Sequence, residues 1–229
     1  MTSPLLNFRS RRNQPASVDH RQSSGSREMT SYALGLLGLP GTGKSSTITE
    51  LCSVDTGLTA RYTEQFHIAG SRMTSYISRL FGGASHEFAL ACQVEALAQR
   101  VLLHRDAGPS VCIDEPIEAV LAHTMAMQKL GMFPQEQHDS WMLLYNVIRE
   151  TLPQAHFLAL LTCERQELQR RIMQRGRSRD HSVGDEYLSA LDESLRSVAE
   201  MSNCAVIIID TSKRTPRDVA SAILSKMLA

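Results

Sequence analysis

One run of residues constrains this chain more than any other: Gly38-Leu39-Pro40-Gly41-Thr42-Gly43-Lys44-Ser45. It fits G-x-x-x-x-G-K-[S/T], a pattern in which glycines let backbone N–H groups turn inward around phosphate oxygens. The apolar stretch Tyr32–Leu37 precedes it, and Ser45-Ser46-Thr47-Ile48 follows with the composition of a helix start. Strand, loop and helix in that order put the loop at a helix N-terminus, whose positive end favours phosphate. A glycine turn that only joins a strand to a helix has no need of the Lys-Ser pair. Lys44 has the reach for β- and γ-phosphates, and the Ser45 hydroxyl suits Mg2+. The reading is a nucleoside triphosphate site over Gly38 to Ser46, with Mg2+ as cofactor.

The rest of the chain supplies a frame for that loop. Short apolar runs recur at Leu58–Thr63, Ser110–Ile113, Ala155–Thr162 and Ala205–Ile209. Helical spacing fills His86–Arg105, Ile117–Leu130, Gln135–Glu150, Gln166–Arg175, Asp185–Glu200 and Arg217–Leu228. Strands alternating with longer helices predict an α/β domain, a five-stranded parallel sheet with helices on both faces. Residues 1–29 differ: they are rich in Ser, Arg, Gln and Asn and lack a periodic apolar pattern. They are expected to be a disordered tail, with a transit peptide or nuclear signal as alternatives, and 30–229 the folded domain.

Composition removes several function classes. Lys plus Arg equals Asp plus Glu at 24 each, so no charge excess argues for nucleic acid or a membrane surface. No apolar run approaches the ~20 residues that span a bilayer. Five scattered cysteines without a CxxC pair predict reduced thiols, and no zinc site. The expectation is an intracellular protein of the cytoplasm or nucleus.

The loop alone leaves kinase, GTPase and ATPase open, although no N-K-x-D guanine-reading motif occurs. Acids at other strand ends narrow the choice, because ligands of open α/β sheets bind outside the carboxyl ends of strands. Glu64 follows the second apolar run and is placed to accept a proton from an attacking hydroxyl. It is equally placed to be an ordinary strand-end charge. Asp114 ends Val111-Cys112-Ile113 as a metal-holding strand does, and Glu115 beside it either shares that role or is solvated. Arg171 and Arg175 lie one turn apart on a helix that Gly176 ends, with Arg177 beyond. Such a movable arginine lid suits the charge of a phosphoryl-transfer transition state, and a solvated basic helix end is the alternative. Gln93 and Arg100, seven residues apart, share a helix face. A glutamine amide both donates and accepts, which fits a nucleobase edge as well as a solvated surface.

Together these features resemble the deoxynucleoside kinases, closest in kind to the herpesvirus-type thymidine kinases. The likeness runs from about residue 32 to the end. It is clearest at Pro116-Ile117-Glu118-Ala119-Val120-Leu121 through Leu130-Gly131-Met132, at Thr151-Leu152-Pro153 with the following strand and arginine lid, and at Val206-Ile207-Ile208-Ile209-Asp210. The resemblance implies a P-loop kinase fold and ATP-dependent phosphorylation of a pyrimidine deoxynucleoside, within a host cell if the likeness extends to a viral origin. It implies Glu64 as catalytic base for the sugar 5′-hydroxyl and Gln93 as partner of the base. It implies Arg171, Arg175 and Arg177 as lid arginines, with Asp180 and Tyr76 toward the 3′-hydroxyl. It sets His123 at an aromatic stacking position and Arg100 where cytidine-preferring relatives keep a base-contacting arginine. It also implies a homodimer, with helices 117–131 and 185–201 as the expected interface.

Departures cluster on the acceptor side. Glu115 and Pro116 follow the third-strand acid where the family usually has an arginine. The usual Glu-Pro pair with a tryptophan five positions on is replaced by Glu64-Gln65 and Ala69. Thymidine and deoxycytidine therefore both remain open as acceptors. A nucleoside monophosphate kinase, with Arg61 and Arg72 as cationic cradle, and a nucleotide-binding regulator are the alternatives in function.

Overall fold

The computed structural model describes residues 31–54, 57–62, 76, 79, 87–176 and 184–229. The expected tail, Glu64, Arg177 and Asp180 lie outside the described residues. The elements run β1 (Ser31–Gly38), α1 (Lys44–Ser53), β2 (Thr59–Arg61), α2 (Glu87–His104), β3 (Val111–Asp114) and α3 (Ile117–Lys129), then α4 (Gln135–Arg149), β4 (Gln154–Thr162), α5 (Arg165–Arg175), α6 (Asp185–Glu200), β5 (Ala205–Asp210) and α7 (Pro216–Met227).

The five strands form one parallel sheet in the order β2-β3-β1-β4-β5. β1 is its centre and is buried along nearly its whole length, which explains a run of apolar residues with no alternation. Two cores result, one per face. Ile48 and Leu51 of α1 and Val219, Ala220 and Ile223 of α7 pack on Leu34, Leu36 and Ala159. The opposite face carries α2, α3, α4 and α6, with Trp141, Tyr145, Leu191 and Leu195 over Leu37, Leu158 and Leu160. α7 starts with a full capping box, Thr215 and Asp218 each bonding the other's backbone N–H, and Pro216 just inside.

Helices 117–131 and 185–201, the interface that the family resemblance suggested, turn most of their apolar side chains into the subunit. α3 and α6 pack on each other; α3 exposes only Lys129, and α6 exposes the polar Glu186, Ser189, Glu193 and Arg196. Eight α6 residues are buried on one face, and Met201, just past its end, is the exposed large apolar side chain of the 185–201 stretch. Exposed apolar side chains among the described residues include Val94 and Leu102 on α2 and Leu143, Leu144 and Val147 on α4, its neighbour. No helix among the described residues is long and apolar enough to cross a membrane. All five cysteines are free thiols, and no cluster of metal-ligating side chains occurs among the described residues.

Candidate active site

The loop after β1 is shaped by three glycines in conformations closed to other residues. Gly38, Gly41 and Gly43 have φ of 149°, 92° and 91°. Gly38 and Gly41 are also needed for space. A Cβ on Gly38 would lie 2.6 Å from the Leu161 carbonyl oxygen, and one on Gly41 would press at 3.2 Å on Leu168 and Ile172 of α5. The helix that bears the arginines thus packs directly on the phosphate loop. Thr42 closes the turn by donating to the Leu39 carbonyl at 2.9 Å.

Parallel pairing of β1 with β3 sets Leu36 opposite Asp114, which brings the loop and the acid together. Ser45 Oγ donates to Asp114 Oδ2 at 2.6 Å. Asp114 is buried, and burial raises its pKa while Lys44 opposes the rise. Its Oδ1 is enclosed and without a hydrogen-bond partner among the described residues. A hydroxyl and a carboxylate oxygen with free lone pairs form the hard-oxygen donor set that Mg2+ prefers.

Lys44 is buried, and its Nζ donates to the carbonyls of Gly38 at 2.7 Å and Leu39 at 3.2 Å. It also pairs with Glu115 Oε1 at 3.2 Å. The other oxygen of Glu115 accepts from Arg100 Nη2 at 3.0 Å. Burial works to raise the Glu115 pKa, yet Lys44 and Arg100 together hold it well below the usual carboxylate range. Glu115 sits at φ 54°, a left-handed conformation rare outside glycine. Arg100 is buried, which lowers its pKa to about 10 against the pull of Glu115, and it stays cationic at neutral pH.

Around Arg100 the wall is made of side chains. Gln93, one face along α2, is buried; its amide accepts from Thr124 Oγ1 at 3.0 Å and donates to Met127 Sδ at 3.3 Å. His123 is half-buried, with Nδ1 2.7 Å from the Tyr187 hydroxyl and its ring stacked on that of Tyr187. Burial lowers its pKa to about 4, partly offset by Glu115, so the ring is neutral. Tyr76, half-buried, lies against Phe88 with ring centroids 6.2 Å apart.

On the other side of the loop a cavity of about 390 Å³ is lined by Gly41 to Gly43, Arg171, Arg175, Thr211 and Arg214 among others. Arg171 crosses it, donating to the Thr211 carbonyl at 2.8 Å and to Glu167 at 2.7 Å. Glu167 also accepts two hydrogen bonds from Arg170, and these two arginines lower its pKa to about 2. α5 ends at Gly176, φ 60°.

Comparison with known proteins names this arrangement. A family model described as deoxynucleoside kinase matches residues 36–227. The chain belongs to the deoxynucleoside kinase family. It is therefore a nucleoside kinase. The deoxyadenosine kinase of M. mycoides with bound dCTP superposes with a TM-score of 0.72 at 16% identity, covering 86% of this chain and 98% of that one. The same enzyme with bound dATP gives 0.71 at 18% identity, over 86% and 100% of the two chains. At such identity the likeness is one of fold. No curated protein sequence matches the chain.

The kinase brings Lys44, Ser45 and Asp114 together and joins them through Glu115 to Arg100 on α2, the helix that carries Gln93, while His123 is held by Tyr187. Arg171 and Arg175 line the loop's other side, with Arg171 tied to the segment after β5. Arg61 is not an acceptor-side cradle: its guanidinium holds the carbonyls of Leu103 and Asp106 at 2.8 Å each. Arg72 lies outside the described residues. Sequence reasoning missed Thr124 and Tyr187, whose partners Gln93 and His123 are 31 and 64 residues away. It also missed Glu167, although its three- and four-residue spacing to Arg170 and Arg171 was a readable signal.

Proposed function

We propose that this kinase transfers the γ-phosphoryl group of ATP to the 5′-hydroxyl of a pyrimidine deoxynucleoside, thymidine or deoxycytidine, supplying nucleotides for DNA synthesis. The observation that carries the reading is the chain of contacts from Lys44 through Glu115 to Arg100, with Gln93 buried on the same helix. It links a triphosphate cradle to a wall able to read a base. The Gln93 amide offers one donor and one acceptor to a pyrimidine edge, and Arg100 adds donors for the ring carbonyl or nitrogen of cytosine. His123 gives a neutral ring for stacking, and Tyr76 and Asp180 are assigned to the sugar 3′-hydroxyl.

Glu64, shortly after the end of β2, takes the proton of the 5′-hydroxyl as that oxygen attacks the γ-phosphorus. The bond to the β–γ bridging oxygen breaks and ADP leaves. Lys44 and the lid arginines Arg171, Arg175 and Arg177 balance the charge spread over the equatorial oxygens. Ser45 and Asp114 are the residues that would hold Mg2+, which when bound neutralises the β- and γ-phosphate oxygens. The domain is taken as 30–229, with 1–29 a tail outside it. A homodimer through the exposed apolar residues of α2 and α4 accompanies this reading, and sedimentation of Leu143→Glu against the parent protein tests it.

A panel of the four natural deoxynucleosides and their monophosphates with ATP and Mg2+ tests the assignment. Thymidine or deoxycytidine is expected to turn over best. A preference for deoxyadenosine overturns the base assignment, and turnover of monophosphates alone overturns the acceptor class. Glu64→Gln should lower turnover by orders of magnitude with ATP affinity retained; undiminished turnover removes Glu64 from its role.

A further inference from the structure

An ammonium group has three N–H donors. Lys44 has three partners here: the Gly38 carbonyl, the Leu39 carbonyl and the Glu115 carboxylate. A γ-phosphate arriving at Lys44 meets an ammonium that is already satisfied and a carboxylate 3.2 Å from it. That carboxylate is not idle elsewhere, since its second oxygen holds Arg100 on the helix that carries Gln93. The backbone of Glu115 is kept at φ 54° while its own N–H donates to the Leu36 carbonyl at 3.1 Å. Strain of this kind persists only where the surroundings impose it, and it gathers at functional positions. Here it aims one carboxylate at two cations on opposite sides of the transfer point.

We propose that Glu115 is an exchangeable counter-ion that holds Lys44 in the nucleotide-free kinase, yields it to the γ-phosphate, and then serves Arg100 alone. Donor binding would thereby fix the guanidinium that faces the acceptor. The inference rests on the donor and acceptor sides proposed above. It makes Glu115 a positioning residue and gives the family's usual arginine position an opposite charge with a task of its own. Two consequences differ in sign. The carboxylate weakens ATP binding to the empty enzyme, because two anions compete for one ammonium. It also makes ATP and deoxynucleoside bind more tightly together than apart.

Calorimetric titration of a non-hydrolysable ATP analogue with Mg2+ tests this in the parent protein, Glu115→Gln and Glu115→Ala, each first checked for an unchanged melting transition. Both variants should bind the analogue about tenfold more tightly, the scale of one partly buried like-charge contact. If both bind it equally or less tightly than the parent, the exchange is overturned. Repeating the titration with saturating deoxynucleoside reads the coupling. The parent should gain affinity several-fold and Glu115→Gln should gain none; equal gains overturn the link to Arg100. The first titration contains no acceptor, so it stands even if the panel of deoxynucleosides overturns the proposed substrate. If Glu115→Gln alone melts early, the affinity of Glu115→Ala decides between exchange and its absence, and the reverse holds equally.

Discussion

The two sides of the transfer point are built in opposite ways. The donor side is made of backbone: three left-handed glycines, a helix N-terminus and two carbonyls that hold Lys44. The acceptor side is made of side chains from α2, the end of β3, α3 and α6, with Gln93, Arg100 and Thr124 all buried. A backbone cradle recognises what all triphosphates share and is indifferent to the side chains around it. A wall of buried side chains can distinguish one base from another, because each amide or guanidinium left without a partner costs about 1–3 kcal/mol. Departures from the family pattern gather on the second side, where change alters selectivity; Glu115 is the one that also reaches the donor side, through Lys44.

The sharpest way to break this contrast is to damage each side alone. Lys44→Ala removes the charge that meets the phosphates and should lower kcat by about a thousandfold, in the range seen when one transition-state contact is lost. Deoxynucleoside affinity should be kept, or rise several-fold as Glu115 is left to Arg100 alone, and equilibrium dialysis with labelled nucleoside measures it. Loss of nucleoside binding in this variant would mean that the two sides are one unit. Gln93→Ala should do the converse. It leaves Thr124 Oγ1 with only the Val120 carbonyl at 3.0 Å and takes away the base-reading amide. A rise of about a hundredfold in acceptor KM is expected, with the KM for ATP unchanged. Equal kcat/KM for the parent and this variant across the panel would remove Gln93 from base recognition.

The same contrast explains what the sequence revealed. A donor cradle is local, so Gly38 to Ser45 announces it within one strand–loop–helix unit. The sheet was legible for a similar reason, since β1, β4 and β5 are short apolar runs bounded by polar turns. Ends blur where tertiary contact decides: β2 spans only Thr59–Arg61 against an expected Leu58–Thr63. The acceptor side came from resemblance. Nothing in a glutamine or a histidine shows that Thr124 and Tyr187 will meet it after folding. Glu115 illustrates the limit, because an acid next to Asp114 suggested either metal or solvent. Its two cationic partners, Lys44 and Arg100, depend on the pairing of β1 with β3 and the packing of α2. The expected interface helices came from resemblance as well: exposure is a property of packing, and α3 and α6 pack much of their apolar surface on each other.

A smaller effect separates the two sides by pH. His104 is wholly buried at the end of α2, where its Nε2 accepts the Ile117 backbone N–H at 3.0 Å and its ring meets Tyr32 edge-on. It thereby anchors the start of α3, the helix that bears His123 and Thr124. Burial lowers its pKa to about 4 from 6.5, with the Pro153 carbonyl opposing the shift. A depressed histidine is neutral when folded and takes up a proton more readily when unfolded. Its contribution is therefore complete above about pH 6.5 and is lost progressively as pH falls toward 4. On the order of 3 kcal/mol of stability should disappear across that window. His104→Gln keeps an acceptor within reach of Ile117 and cannot titrate, so most of that slope in the urea midpoint should vanish. Deoxynucleoside affinity should decay in the parent over the same window ahead of ATP affinity, because the anchored helix serves the acceptor alone. An unchanged slope in His104→Gln assigns the acid sensitivity elsewhere, with the half-buried His123, also lowered to about 4, as the next ring on that side.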